Sequence, residues 1–243
     1  MQRLDGGATT PHVAEELDVS ASKPMAEPVE LLGVKQAAYE RFRQALFDGR
    51  LRPGQFVSQR ELVALLGLSI GALRELLPRL QFEGLLNVMP QRGIQITQID
   101  LPMIRQAFQL RAALEREAVL TAVRKLDDEA LDVQEALHRA IMAEVKVAPT
   151  AALFERGQQI DDGFHNLLIG GTQNDLLIQA YAVNAIRIRL IKLDRISLSA
   201  SVLPAAFTDH LTIIAAIRAR DAHAAVEAID RHMMNARERA LEL

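Results

Sequence analysis

The sequence predicts a mainly α-helical protein, with an N-terminal winged helix-turn-helix followed by an all-helical antiparallel bundle of about six helices. Three observations support this fold class. Aromatic residues make up only 4% of the chain, so Leu, Ile, Val and Ala must provide most of the packing. These residues recur at helical spacing along most of the sequence. The exception is a pair of short β-branched stretches around PQRG at 90–93, which predicts a β-hairpin after the third helix.

Composition and charge divide the chain into three predicted segments. Residues 1–34 mix Gly, Ser, Thr, Pro and acidic residues without periodicity, which predicts a flexible N-terminal arm. Residues 35–98 hold the winged helix-turn-helix and carry nine basic and five acidic side chains. Residues 99–243 hold the bundle and are net acidic, with 17 basic and 20 acidic side chains. The only basic segment is thus the winged helix, which suits contact with phosphates.

Local signals predict the first two helices of the winged helix-turn-helix. The run VKQAAYERFRQALFDG from Val34 places apolar residues on one helical stripe and ends at Gly49, a suitable C-cap. LRPGQFVS is typical of a turn. Ser58, with Glu61 three residues later, matches a capping box for a short second helix that ends at Gly67. The third helix follows, and in this arrangement it is the one that lies in a DNA groove.

The segment beyond Asp100 keeps helical periodicity to its end. Six helical stretches are separated by breaks at Asp127, Thr150, Gly170–Gly171, Ser197 to Ser201 and Arg220–Asp221. Asp and Thr are common N-cap residues, and we expect them to cap helices at Asp100, Asp127, Thr150 and Asp221. Short connections between successive helices favour an antiparallel bundle.

The composition and motifs of the sequence argue against several classes of protein. The chain has no cysteine, so it forms no disulfide, thiolate metal site or cysteine nucleophile. No window approaches 18 uninterrupted apolar residues, and the first residues lack the pattern of a secretory signal. We therefore expect a cytoplasmic protein without a membrane partner. Neither a Gly-rich phosphate loop nor a Ser nucleophile elbow is found.

Four side chains of the bundle are predicted to converge on a metal ion. Asp161 and His165 are four residues apart and share a helix face. His210 and His232 each lie 11 residues from Asp221, at a turn between two helices. Equal distances from the turn of an antiparallel hairpin place both histidines roughly 16 Å along their helices, side by side. Three imidazoles and one carboxylate favour a divalent ion such as Zn, Ni, Mn or Fe.

The alternative for these histidines is an ordinary scatter among the six of the chain. A lone histidine is more often a packed or exposed residue than a ligand, and it is the matched heights that favour the metal. Residues without such a relation are expected at the surface, namely Asp162, His138 and His223. His12 lies in the predicted arm and is expected to take no part.

Motifs over about residues 35–240 carry a resemblance to a known family. YERFRQALFDGRLRPGQFVSQRELVALLGLS, LRELLPRLQFEGLL and QRG resemble the N-terminal winged helix of GntR-family bacterial transcription regulators. RAALE, DDGFH, TDHLTIIAAI and AIDRHM resemble the helical ligand-binding domain (FCD domain) of their FadR-type subfamily. In that family an Asp and a His four residues apart and two later histidines bind a divalent metal. The match falls on Asp161, His165, His210 and His232.

The resemblance implies a homodimer that binds a palindromic double-stranded DNA operator and responds to a small carboxylate effector. Arg111 stands at the usual pocket arginine of the family, and a guanidinium group can hold a carboxylate with two parallel hydrogen bonds. Arg187 and Arg189 are possible helpers, and Asn184 is a weaker candidate. Because Arg187 and Arg189 are two residues apart on a helix, they cannot face the same way, and we expect at least one to be exposed.

The resemblance also assigns DNA-contacting side chains. The positions that contact the operator in the family fall on Arg60, Arg74 and Arg92. Neighbouring residues at the helix cap, in the first helical turn and at the wing tip complete the predicted set: Ser69, Ile70, Ala72, Gln91 and Gly93. The wing arginine is expected to enter a minor groove.

The first turn of the third helix departs from the family pattern. Most relatives have an Arg followed by small polar residues where this chain has Ile70, Gly71 and Ala72. One interpretation is a close approach to the groove, with Ile70 or Ala72 touching a thymine methyl group. A second is that the arginines, the wing and DNA shape carry recognition, and a third is that DNA binding is lost. Pro78 is a further departure and should loosen the turn before it.

These observations predict a ligand-responsive transcriptional regulator, which we expect to be a repressor and not an enzyme. Effector binding near the metal would reorient the winged helices on DNA. The alternative from another class is a metal-dependent hydrolase or oxygenase that uses the same Asp and His side chains. Only Asp162 stands beside this set as a general base, and an enzyme would leave the winged helix unexplained.

Overall fold

The computed structural model of the protein describes residues 29–242, which are mainly helical. Within that span the helices are α1 Val29–Phe47, α2 Gln59–Leu66, α3 Ile70–Phe82, α4 Leu101–Lys125, α5 Asp128–Val147, α6 Ala151–Gly171, α7 Asp175–Asp194, α8 Val202–Arg218 and α9 Ala222–Leu241. The strands are β1 Phe56–Val57, β2 Leu86–Met89 and β3 Gly93–Ile96. The predicted fold class is confirmed, since three helices and a hairpin precede the six helices α4–α9.

Two details of the winged helix differ from the prediction. The stretch predicted as a turn contains β1, which pairs antiparallel with β3, so the sheet order is β1-β3-β2. A two-residue strand is too short to show alternation in sequence, and its pairing depends on a distant partner. Helix α1 begins at Val29, so residues 29–33 are helical where the arm was predicted; no proline follows Pro28 to interrupt the helix. The rest of the arm, including His12, lies outside the described residues.

The predicted helix caps are confirmed by hydrogen bonds. Ser58 and Glu61 form both bonds of a capping box on α2. Gly67 ends that helix with a φ of 61°, in the left-handed region that glycine adopts without steric cost. In the bundle, an N-cap side chain accepts a bond from the amide three residues on at Asp100, Asp127, Thr150 and Asp221. These caps fix where each bundle helix starts.

Helix α3 starts at the cap that the sequence predicts and continues past its proline. The Ser69 hydroxyl accepts a hydrogen bond from the amide of Ala72 at 3.1 Å. Pro78 lies on the exposed side of the helix, which runs on to Phe82. The opposite side, with Leu73, Leu77 and other leucines, is buried in the core of the winged helix.

The core of the winged helix is continuous with part of the bundle. Ile186 and Ile191 of α7 and Ala236 of α9 pack in the same apolar cluster as Phe42 of α1 and Leu80 of α3. A second cluster fills the bundle between α4, α6, α8 and α9. Helix α7 therefore contacts both the winged helix and the interior of the bundle. No helix within residues 29–242 is both long and apolar enough to cross a lipid bilayer.

Candidate metal centre and DNA-binding face

Three buried histidines from three helices meet inside the bundle. They are His165 of α6, His210 of α8 and His232 of α9, each at most 2% exposed. One ring nitrogen from each lies within 4.8 Å of the others. The Nε2 atoms of His210 and His232 are 3.2 Å apart, as expected for two histidines at equal distance from the turn at Asp221.

The carboxylate of Asp161 stands beside this cluster. Its Oδ1 is 3.7 Å from Nε2 of His210, and its Oδ2 accepts a hydrogen bond from the Lys192 ammonium group. Burial opposes ionisation of Asp161, but Lys192 and the neighbouring histidines hold its pKa well below the usual range. Asp161 is thus ionised at the centre. Sequence spacing did not reveal Lys192, because only the fold brings α7 beside α6.

A chain of buried polar groups orients the ring of His165. Arg111 Nε donates to Glu115 Oε1 at 2.6 Å, and Glu115 Oε2 lies 2.6 Å from Nδ1 of His165. Burial would raise the pKa of Glu115, but His165 and Arg111 lower it to about 2. Burial also lowers the pKa of His165 to about 4, which makes its ring neutral at pH 7. The proton therefore sits on Nδ1, and Nε2 keeps a lone pair.

His138 orients His210 in the same manner. His138 Nδ1 is 2.6 Å from the Gln134 carbonyl, which can only accept, so Nδ1 carries the proton. Its Nε2 then accepts from Nδ1 of His210 at 2.9 Å. This bond leaves the lone pair of His210 on Nε2, facing the cluster.

The prediction that His138 lies at the surface is wrong, since it is fully buried. His138 falls on the buried side of α5 with Leu131, Ile141 and Val145. That apolar stripe at helical spacing is the sequence signal that could have placed His138 inside. By contrast, Asp162 and His223 are exposed, as predicted.

The third ring, His232, has its Nδ1 3.5 Å from a carboxylate oxygen of Asp209. Each of the three histidines thus has its Nδ1 next to a polar group outside the cluster, and each turns Nε2 towards the centre. Two of the buried ring nitrogens have no hydrogen-bond partner among residues 29–242, namely Nδ1 of His232 and the inner Nε2 of His165. A buried polar atom without a partner costs about 1–3 kcal/mol and calls for a ligand.

The donor set fits a divalent metal ion. Two nitrogens bound to one ion at about 2.1 Å, with tetrahedral or octahedral angles, lie about 3.0–3.4 Å apart. The 3.2 Å separation of the His210 and His232 nitrogens falls in that range. The acceptors behind the rings are of the kind that fixes histidine ligands in metal sites. Imidazole nitrogens with one carboxylate suit Zn, Ni, Mn or Fe.

The predicted DNA-binding arginines lie on the exposed face of the winged helix. Arg60 of α2, Arg74 of α3 and Arg92 at the wing tip are exposed. None of the three makes a hydrogen bond or ion pair within the described part of the chain. Their guanidinium groups are therefore available to phosphates or base edges.

The wing tip and the helix cap have structural roles as well. Gln91 adopts a positive φ of 61° in the tight turn between β2 and β3. A side chain at Gly93 would collide with the Val57 carbonyl of β1, because a Cβ there would be 2.9 Å from it. The hydroxyl of Ser69 is used in the cap of α3. Ile70 is 47% exposed at the first turn, with Ala72 half-buried beside it.

Comparison with known proteins finds a family match in each half of the chain. Residues 34–96 match the bacterial regulatory proteins of the gntR family. Residues 106–235, more than half of the chain, match the FCD domain. The chain belongs to the FCD-domain regulators of the GntR family.

Individual relatives of this GntR-family regulator include two repressors of Escherichia coli. The HTH-type transcriptional repressor RspR is 24% identical over 204 residues, which cover 82% of this chain and 86% of the relative. The HTH-type transcriptional repressor GlaR is 28% identical over 200 residues, which cover 81% and 90%. The solved structure of E. coli McbR/YncC has a TM-score of 0.63 at 19% identity, covers 83% of this chain and 93% of its own, and shows the shared fold.

Family membership decides the class of protein. The chain is a DNA-binding transcription factor and not an enzyme, because both its domains and its relatives are those of transcriptional regulators. The alternative of a hydrolase or oxygenase is therefore set aside.

The four predicted effector-binding residues of the GntR-family regulator lie in different places. The cluster of His165, His210 and His232, with the buried polar groups around it, is called the histidine centre below. Arg111 is buried within the histidine centre and is bonded to Glu115. Asn184 is also buried, but its amide donates to the Ala107 carbonyl at 2.9 Å and so ties α7 to α4. Arg187 points to the winged helix, where it donates to the backbone carbonyl of Glu83 at the end of α3.

Asn184 and Arg187 are thus engaged with protein partners, which the apolar-rich sequence of α7 did not reveal. Arg189 is half-buried and lines a cleft between α1, α6 and α7. It has no hydrogen-bond or ion-pair partner among the residues that the structure describes. Of the four, Arg189 is the one without a protein partner there and remains a candidate for holding a carboxylate. Arg111 remains one as well, since it lies at the histidine centre and bonds Glu115 through Nε.

Proposed function

We propose that this GntR-family regulator, of the FadR-type subfamily, is a ligand-responsive repressor. It acts as a homodimer on a palindromic operator, and a small carboxylate metabolite that binds beside a divalent metal changes its affinity for DNA. The observation that carries the proposal is the buried histidine centre, in which hydrogen bonds from behind orient His165 and His210 and one ring nitrogen of each lies within 4.8 Å of one on His232. Repression is supported by the relatives RspR and GlaR, which are named repressors.

The proposed metal ligands are His165, His210, His232 and Asp161. A bound divalent ion supplies positive charge in a dry cavity, where attraction to a carboxylate is stronger than at the surface. Lys192, now bonded to Asp161, adds a second positive group at the edge of this centre.

Helix α7 provides a route from the centre to DNA. Lys192 bonds Asp161 at the centre, and five residues earlier on the same helix Arg187 bonds the carbonyl of Glu83 at the end of α3. A change in the position of α7 on ligand binding is therefore passed directly to the helix that lies in the DNA groove.

DNA recognition is assigned to the arginines of α2, α3 and the wing, together with the apolar first turn of α3. Because these arginines have no partners within residues 29–242, DNA contact does not require that an internal ion pair be broken. A regulator of bacterial transcription works where the chromosome lies, and we accordingly place it in the cytoplasm.

The test combines metal content with operator binding. His210→Ala and His232→Ala are each expected to lose the bound metal, measured by elemental analysis of purified protein, and to keep operator binding without effector. The operator probe is the DNA upstream of the protein's own gene, in mobility-shift assays with a panel of carboxylates. His223→Ala is the matched control, since His223 is exposed on α9.

About one metal per wild-type chain, a saturable shift and relief by one acid would support the proposal. Unchanged metal content in both ligand variants would overturn the metal centre. Wild-type protein that never shifts the DNA at low salt would overturn the assignment of a DNA-bound repressor.

A further inference from the structure

A cleft of about 440 Å³ lies beside the histidine centre, between the winged helix and the bundle. Its walls come from α1, α6 and α7. Apolar and aromatic side chains provide much of the lining, among them Phe47, Ala182, Ala185 and Ile186. The volume falls within the range of sites for small molecules, which are mostly apolar with a few polar groups.

Two side chains connect this cleft to the histidine centre. Gln158 is 6% exposed, lines the cleft, and lies 3.5 Å from Oδ2 of Asp161 and 2.8 Å from Oδ1 of Asp162. Tyr181 also lines the cleft. The pKa of its hydroxyl is raised, chiefly by burial and to a lesser extent by the negative charge of Glu115. The hydroxyl thus remains a donor, and it has no hydrogen-bond partner among residues 29–242. The end of the cleft near Gln158 and Tyr181 therefore borders the proposed metal ligands.

The cationic groups of the cleft are Arg43 of α1 and Arg189 of α7. Arg189 has no partner in the described part of the chain. Arg43 bonds Glu40 through Nη1 at 3.0 Å, while its Nε is buried without a partner. Two acidic side chains also line the cleft, of which Asp162 is engaged by Gln158 and Lys192, and Glu155 is exposed. One uncompensated guanidinium group, with help from a second, suits a ligand group with a single negative charge.

We propose that this cleft is a second carboxylate subsite, in which Arg189 and Arg43 hold the far end of an effector whose first carboxylate lies at the histidine centre. The effector is then a dicarboxylate with a short apolar middle that packs between Phe47 and Ile186. Because Arg43 belongs to α1, this effector touches the winged helix itself as well as the bundle. The inference rests on the proposed function, since it extends the ligand site assigned there.

The test uses full-length, metal-loaded protein and calorimetric titration with two matched series of probes. One series is linear dicarboxylates of three to six carbons, and the other is the monocarboxylates of the same lengths. At the chain length that spans the cleft, wild-type protein is expected to bind the dicarboxylate about tenfold more tightly than the monocarboxylate of the same length. This factor is the contribution of one charge-assisted hydrogen bond.

Arg189→Gln is expected to abolish that preference to within about twofold, while metal content and monocarboxylate binding stay unchanged. Arg139→Gln removes an exposed arginine of α5 that does not line the cleft, and it should keep the full preference. Arg43→Gln is expected to reduce the preference by a smaller factor, because Arg43 already shares its charge with Glu40.

Three results separate the subsite from the proposed function. If monocarboxylates bind and no dicarboxylate binds better, the subsite is overturned while the effector site at the metal stands. A preference that survives Arg189→Gln also overturns the subsite. If neither series binds to metal-loaded protein, the proposed carboxylate response fails and the subsite fails with it.

Discussion

The histidine centre and the first turn of α3 both reverse the usual distribution of residues. At the centre, polar groups such as Arg111, Glu115 and His165 are almost completely buried. At the start of α3, Ile70 is 47% exposed on the side that should meet DNA. Polar groups normally stay outside and large aliphatic ones inside, and departures from this pattern concentrate at functional sites.

The buried polar groups of the centre and the exposed aliphatic residue of α3 are accommodated in different ways. At the centre the charges of Arg111, Glu115 and Asp161 are each neutralised by a neighbour, and the ring nitrogens without a hydrogen-bond partner among residues 29–242 are Nε2 of His165 and Nδ1 of His232. At α3 no partner is needed, because an exposed aliphatic side chain costs little in water. Substitutions that leave a charge of the histidine centre unpaired should therefore lower the stability of the whole protein. Substitutions at the first turn of α3 should change DNA binding alone.

The largest expected effect comes from breaking the charge balance of the centre. Glu115→Ala leaves the Arg111 charge buried and unpaired, which should cost about 3–5 kcal/mol of unfolding free energy. Denaturant unfolding of the metal-free protein measures this loss. Glu117→Ala, which removes an exposed carboxylate two residues away, is the control and should change little.

If Glu115→Ala does not fold, the double variant Arg111→Met/Glu115→Ala keeps the test open, because it removes both charges and should recover stability. Equal stability of Glu115→Ala and wild type would show that Arg111 is not held by Glu115.

The next effect concerns the hydrogen bond behind His210. His138→Phe keeps a ring in the core but cannot accept the proton of His210 Nδ1, so metal affinity should fall by about 10–100-fold. Chelator competition measures this affinity, with His223→Phe as the exposed control. Metal affinity within twofold of wild type would contradict the orienting role of His138.

Both regions also show how far the sequence can predict such a molecule. The caps at Asp100 and Asp221 were predictable, because each depends on a few neighbouring residues. The convergence of His210 and His232 was predictable too, since a helical hairpin makes sequence distance a measure of height. The groups behind and beside the histidines, Glu115 and Lys192, were not, because their contacts depend on which helices become neighbours.

Helix α7 illustrates the same limit. Its apolar residues are buried on several sides, by the winged helix as well as by the bundle, so the pattern alone does not define one inner face. The resemblance made Arg187 a possible helper in the effector pocket and Asn184 a weaker candidate, whereas in the fold these side chains bond α3 and α4. Strand β1 was missed for a related reason, since its pairing with β3 joins residues almost 40 positions apart in the chain.

A smaller effect should appear in the link between the two regions. Arg187→Gln loses the bond to the Glu83 carbonyl, so the ratio of operator affinities without and with the effective carboxylate should fall by about threefold or more. Fluorescence anisotropy on the operator measures both affinities. Arg195→Gln, at the C-cap of α7 and paired with Asp194, should keep the full ratio. An unchanged ratio in Arg187→Gln would remove this bond from the route between ligand and DNA.

The smallest expected effect distinguishes the interpretations of the first turn of α3. Replacing thymine by deoxyuridine in the operator removes only the methyl group that Ile70 is predicted to touch. Loss of one buried methyl contact costs about 0.8 kcal/mol, so wild-type affinity should fall about fourfold.

Ile70→Ser should bind both DNAs equally, since its side chain cannot pack on the methyl group. Phe82→Ser, which changes a 93% exposed apolar residue at the other end of α3, should keep the fourfold difference. Equal affinities of the wild-type protein for the two DNAs would indicate that Arg60, Arg74 and the wing, together with DNA shape, carry recognition. The exposed Ile70 would then make a close approach to the groove possible without reading a base.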